Sequence, residues 1–160
     1  MKKILFLILF PLAIFSLASC SKSSDNTTVN NAIKQAAIDD ASIKTYLTAH
    51  PEITNVKDTL GVYYEVIATG TGGYPTDATA ITASYTGTLL DGSTFDSSTS
   101  YTNYLGNLIS GWRIVLPHVR MGSRVLMLIP SLYGYGTTSS AKIPANSVLI
   151  FDVTFGPAGV

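Results

Sequence analysis

From Ile81 to Leu89 the chain alternates with a period of two. Ile81, Ala83, Tyr85, Gly87 and Leu89 fall on one side, and Thr82, Ser84, Thr86 and Thr88 on the other. That is the pattern of a strand with one buried face. Asp91-Gly92 then predicts a hairpin-type turn, because Gly accepts a positive φ without cost and Asp tolerates it. Gly61 to Ile67 (GVYYEVI) reads as an earlier strand, and Arg124 to Ile129 (RVLMLI) as a nearly continuous apolar strand ended by Pro130. Between Val148 and Phe155, the residues Leu149, Phe151, Val153 and Phe155 share a face opposite Asp152 and Thr154. The period turns helical from Asn31 to Ala49: Ile33 and Ala37 fit one turn, and Ile43, Tyr46 and Leu47 sit at i, i+3 and i+4. Asp39 or Asp40 is placed to cap a second helical piece near Ala41, and His50-Pro51 ends it. Arg113 to Pro117 predicts a short helix limited by its proline. The sum is an α+β fold: an antiparallel sheet of about five strands wrapping a short helix, with an N-terminal helical extension.

Composition narrows the chemistry. The 160 residues suffice for one domain plus extras. Ten basic and ten acidic residues balance, and without Lys2 and Lys3 the count is eight against ten, a net −2. Such a chain has no basic patch for nucleic acid, and two histidines with one cysteine do not make an ordinary zinc site. Phe95, Tyr101, Tyr104 and Trp112 lie instead among Ser, Thr and Gly. So many rings among turn formers point to a β-rich domain with an aromatic-lined concavity, with no nucleophile or metal cluster.

The first segment has different grammar. Lys2-Lys3, the apolar run Ile4 to Phe15 and the closing Leu17-Ala18-Ser19-Cys20 read as an export signal over residues 1–19. Leu-Ala-Ser-Cys resembles the lipobox of bacterial lipoproteins, which implies a lipidated Cys20 and a lipid-anchored position in the bacterial cell envelope; Ser21 after the Cys is compatible with the outer membrane. The lone cysteine agrees, having no partner in the chain. Residues 20–30 are too polar to fold alone and read as a flexible tether. Residues 31–57 form the helical extension, expected on the outside of the domain, and 58–160 the main domain.

Tyr85-Thr86-Gly87, Leu89, Asp91-Gly92, Phe95-Asp96-Ser97-Ser98, Leu105-Gly106 and Ile109-Ser110-Gly111-Trp112 resemble the FKBP-type peptidyl-prolyl isomerases in order and spacing. Arg120-Met121-Gly122, Tyr133-Gly134-Tyr135-Gly136, Ile143-Pro144-Ala145-Asn146 and Leu149-Ile150-Phe151-Asp152-Val153 continue the match, from about residue 60 to 156. The resemblance implies an isomerase of Xaa-Pro bonds in unfolded or exported polypeptides, needing no cofactor. It implies Trp112 as the floor beneath the prolyl ring, with Tyr85, Phe95, Tyr101, Leu108, Ile109 and Phe151 as walls. It gives the Ile109 N–H and the Tyr135 hydroxyl as donors to substrate carbonyls, and Asp96 as a partner either of the ligand or of Tyr85. The family's macrolide ligands would enter the same pocket. All these residues lie between Tyr85 and Phe151, so residues 21–57 are expected to be dispensable for catalysis.

The chain departs from the family at several positions. Tyr101 stands where Phe is usual and Asn103 where an aromatic is common; Asn146 replaces a frequent His, Val115 and Pro117 alter the helix after Trp112, and the 137–142 loop is short and polar. Two other readings compete with the enzyme. One is an FKBP-like module that binds chains without turnover. The other is a surface lipoprotein stacking its aromatics on carbohydrate, which requires the rings on a flat outer face.

Overall fold

The computed structural model describes residues 23–159. The export segment and Cys20 therefore lie outside the described residues. A long helix, α1 (Ser23–Ala49), precedes six strands: β1 (Lys57–Thr59), β2 (Val62–Ala68), β3 (Ala80–Leu89), β4 (Thr94–Tyr104), β5 (Arg124–Ile129) and β6 (Leu149–Pro157). A short helix, α2 (Ser110–Val115), sits between β4 and β5. The strands form one sheet in the order β1-β2-β5-β6-β3-β4, with every neighbouring pair antiparallel.

The sheet is covered on both faces, which explains its sequence. Val125, Met127 and Ile129 of β5 and Leu149, Phe151, Val153 and Phe155 of β6 are buried in the main core with α2's Trp112 and Val115. The alternate positions Leu128 and Ile150 pack on the opposite face with Val148 and with Ile43 of α1. A strand buried on both sides has no polar face to show, so β5 reads as a continuous apolar run. Asp152 and Thr154 remain polar beyond that patch, and Asp152 pairs with Arg124 across β5 and β6 at 2.6 Å.

Several expectations change. Ser23 to Val29 continues the helix instead of forming a tether. Extending a helix already anchored downstream costs far less than nucleating one, so polar residues can follow the period. Ile33 stays exposed; the anchored stripe is Asp39, Ile43, Tyr46 and Leu47 near the C-terminal end. Neither aspartate caps a second piece, since the helix runs unbroken to Ala49. Asp40 holds Lys44 at 2.8 Å and accepts the Tyr63 hydroxyl at 2.6 Å. The helix before Pro117 begins earlier than expected, at Ser110, and the proline belongs to a separate 3₁₀ turn, Leu116–His118. The expected five strands become six because β1 is three residues long and the edge strand β4 carries no alternation.

Candidate functional site

The hairpin β3–β4 supplies one wall of a cavity of about 270 Å³. Tyr85 of β3 donates its hydroxyl to Asp96 Oδ2 at 2.7 Å, and the other carboxylate oxygen accepts the Ser97 N–H at 2.9 Å. Asp96 therefore holds Tyr85. Tyr101, further along β4, meets the Tyr85 ring edge-on at 6.1 Å, and its hydroxyl accepts from Asn103 Nδ2 at 3.0 Å.

The floor comes from α2. Trp112 is 4% exposed and lies edge-on to Tyr85 at 5.5 Å and to Phe151 of β6 at 5.3 Å. Phe95 in turn meets Phe151 at 5.4 Å and 84°. These near-perpendicular contacts place ring edges against ring faces, the favourable arrangement for aromatic quadrupoles. Trp112 Nε1 is buried without a hydrogen-bond partner among the described residues, so packing alone orients the indole. Two glycines make this packing sterically allowed. A Cβ on Gly87 would stand 2.5 Å from Phe95 Cζ, and one on Gly111 would stand 2.4 Å from Ile129 Cγ2, blocking α2 from lying on β5.

The segment leading into α2 is clamped from one side. Asp77 accepts the Gly106 N–H on its carbonyl at 2.9 Å and pairs its carboxylate with Arg113 at 2.7 Å. Both ion-pair side chains are about half exposed, so the pair steers geometry more than it adds stability. The clamp presents Leu108 and Ile109 to the cavity. Ile109 precedes α2 with extended ψ, and its N–H finds no acceptor among the described residues, which leaves a donor at the rim.

Tyr135 closes the opposite side and is 45% exposed. Burial first, then the bond to Asp96, pushes the Tyr85 phenol well above its ordinary range. Burial, then the nearby Asp96 and Tyr101, raises Tyr135 as well. Both phenols are thus kept as neutral O–H donors. The structure brings Tyr85, Asp96, Tyr101, Leu108, Ile109, Trp112, Tyr135 and Phe151 to this one cavity. Phe95 instead lines an adjoining cavity of about 410 Å³, walled by residues 138–143, Asp96 and Tyr135. Asn107 also lines the main cavity, a residue the sequence reading does not single out; it donates to Asn103 Oδ1 at 3.1 Å. Its position between Leu105-Gly106 and Ile109 is the one signal that points to it.

Known proteins resemble this chain in sequence and in fold. The family model for FKBP-type peptidyl-prolyl cis-trans isomerases matches residues 72–155, just over half of the chain. FkpA of Aeromonas hydrophila, an FKBP-type peptidyl-prolyl cis-trans isomerase, is 39% identical over 113 residues, which are 68% of this chain and 42% of that protein. A peptidyl-prolyl cis-trans isomerase of Schizosaccharomyces pombe is 39% identical over 102 residues, 59% of this chain and 91% of that one. Among solved structures, FkpA from Escherichia coli superposes with a TM-score of 0.66 at 29% identity, covering 88% of this chain and 75% of the other. The chain thus spans less than half the length of the curated FkpA relatives it matches. The matched span takes in every residue that lines the 270 Å³ cavity, and the chain belongs to the FKBP-type peptidyl-prolyl cis-trans isomerase family.

Proposed function

We propose that this chain accelerates rotation about Xaa-Pro bonds in exported polypeptides. The observation that carries the reading is a cavity of about 270 Å³ floored by a buried indole and walled by ring edges, with two donors at its rim. Amide resonance sets a barrier of ~18–20 kcal/mol and places charge on oxygen and nitrogen. Water stabilises that planar, polarised form, and the twisted form is less polar. A site that replaces water with rings therefore favours the twisted state, and ~4 kcal/mol of such preference gives about a thousandfold. The Ile109 N–H and Tyr135 hydroxyl would hold flanking carbonyls while the bond turns. No covalent step is required. Near-perpendicular, inward-packed rings support an enclosed pocket over a flat sugar platform, and a family macrolide would compete for the same floor.

A protease-coupled proline assay on residues 21–160 tests the reading. Catalysed turnover is expected. Binding of an Xaa-Pro peptide with no acceleration would reduce the protein to a peptide-holding module.

The same proposal includes an anchor. The Leu-Ala-Ser-Cys end of the first apolar segment supports lipidation of Cys20, Ser21 after it is compatible with an outer-membrane position in the envelope, and no described helix is long and apolar enough to cross a membrane. Cys20→Ala should release the protein from the membrane fraction or leave its precursor uncleaved. A mature, membrane-bound variant would overturn the anchor.

A further inference from the structure

Ser131 opens the turn that carries Tyr135, and every polar group of this buried serine is committed. Its carbonyl accepts the N–H of Gly134 at 3.0 Å and of Gly136 at 2.8 Å, the amides on either side of Tyr135. Its own N–H and hydroxyl both donate to one carboxylate oxygen of Asp39, at 2.8 and 2.7 Å. Asp39 lies on α1, distant in sequence, and is 2% exposed; its other oxygen accepts from Gln35 Nε2 at 2.7 Å.

The arrangement has a physical reason. Ser131 to Tyr133 is a 3₁₀ turn without a side-chain cap from its preceding residue, so its first N–H is an orphan donor. A carboxylate from another element satisfies it. An apolar side chain would pack a helix on a sheet at lower desolvation cost, because a buried carboxylate is tolerated only when it is well hydrogen-bonded. The polar choice at position 39 is thus tied to the turn it holds.

We propose that Asp39 is a positioning residue of the proline site. Through Ser131 it fixes the 131–136 turn, and with it the placement of the Tyr135 hydroxyl at the cavity rim. The consequence for turnover rests on the isomerase reading; the consequence for the turn does not.

The test uses the full chain with Asp39→Ala, Asp39→Asn, Tyr135→Phe and the Asp39→Ala/Tyr135→Phe double variant. In Asp39→Ala the amides of Gly134 and Gly136 should exchange about tenfold faster or more, while those of β3 and β6 keep their protection. The value of kcat/KM should fall roughly ten- to hundredfold, the scale expected when a positioning contact is lost. Asp39→Asn keeps an oxygen for both Ser131 donors, and should restore turnover to within about threefold. In the Tyr135→Phe background the Asp39→Ala loss should shrink to about threefold or less, because the two act as a unit. Unchanged exchange at Gly134 and Gly136, or equal losses in both backgrounds, would overturn the proposal. If Asp39→Ala does not fold, Ser131→Ala, which removes only the hydroxyl bond, takes its place: faster exchange at the two glycines and a loss that shrinks beside Tyr135→Phe support the proposal, and their absence overturns it. A wild-type chain without turnover sinks the isomerase reading alone, and the exchange of the two glycine amides still decides the role of Asp39.

Discussion

Adding one methyl group at Gly87 tests the ring packing at its tightest point. Gly87 lies in β3, opposite Asp96 on one neighbour and Phe151 on the other. An alanine Cβ there would sit 2.5 and 2.7 Å from two atoms of the Phe95 ring and 3.1 Å from Phe151. Carbon atoms rest at ~3.5–4.0 Å, so the Phe95 ring must retreat by about 1 Å. To do so it must give up its edge-on contact with Phe151 and turn toward the adjoining 410 Å³ cavity. Overpacking of this kind costs about 1–3 kcal/mol. The entropic gain of Gly→Ala in extended backbone, about 0.4–1 kcal/mol, offsets only part of it. Urea unfolding followed by the emission of Trp112, the single tryptophan, reads the loss directly. With a slope of roughly 2 kcal/mol per molar, the midpoint should drop by about 0.3–1 M. Phe95→Leu supplies the missing space, so in the Gly87→Ala background it should cost at least ~1 kcal/mol less than in the wild type. A Gly87→Ala protein of native stability, or strictly additive effects of the two changes, would refute the packing argument.

Trp112→Phe should leave a folded protein that binds Xaa-Pro peptides more weakly, whereas Trp112→Ala would lose ~3–5 kcal/mol of packing and confuse floor with fold; equal peptide affinity for wild type and Trp112→Phe would remove the indole from the site. A chain beginning at Lys57 uncovers Leu128 and Ile150 by removing Ile43, and should lose ~2–5 kcal/mol in urea unfolding. Undiminished stability would show that Ile43 adds nothing to the packing on this face of the sheet. The raised Tyr85 and Tyr135 fix the direction of one pH dependence. Folding favours the neutral phenol, so this stability is fully present below the unfolded value of ~10 and is lost as pH rises through the folded values. Unfolding monitored between about pH 8 and 12 should show stability falling on the alkaline side, and a rise there would contradict the partial desolvation of these two phenols.

The central strands are legible in the sequence because their alternation meets a single dry face, and β5 because its apolar run is buried on both. β4 is not, since only Phe95 of its eleven residues is buried and an edge strand needs no pattern. Tyr85, Trp112 and Phe151 are legible as a set through the motifs that resemble the FKBP-type family. Asp39 reads as a local cap because its true partner, Ser131, lies 92 residues away. Nothing local in a helix distinguishes an aspartate that caps its own turn from one that caps another. Asn107 is hidden for a related reason: its side chain serves a polar cluster with Asn103 and Tyr101 that exists only once the rim has folded.

β4 ends the sheet, and its outer backbone edge has no partner strand among the described residues. It also contributes Asp96 and Tyr101 to the cavity, so an unfolded chain presented for rotation would arrive beside an open ladder of N–H and C=O groups. Such edges invite strand addition and aggregation when long, flat and apolar. This one is long but neither straight nor apolar. Its register against β3 shifts between Ala83 and Tyr85 and again between Gly87 and Thr88, and its exposed side chains are largely Ser and Thr. Register breaks twist an edge away from a straight partner, and small hydroxyls offer an incoming strand little surface to zip against. On the proposed reading, a client that touches the cavity would find little to hold along this sheet edge.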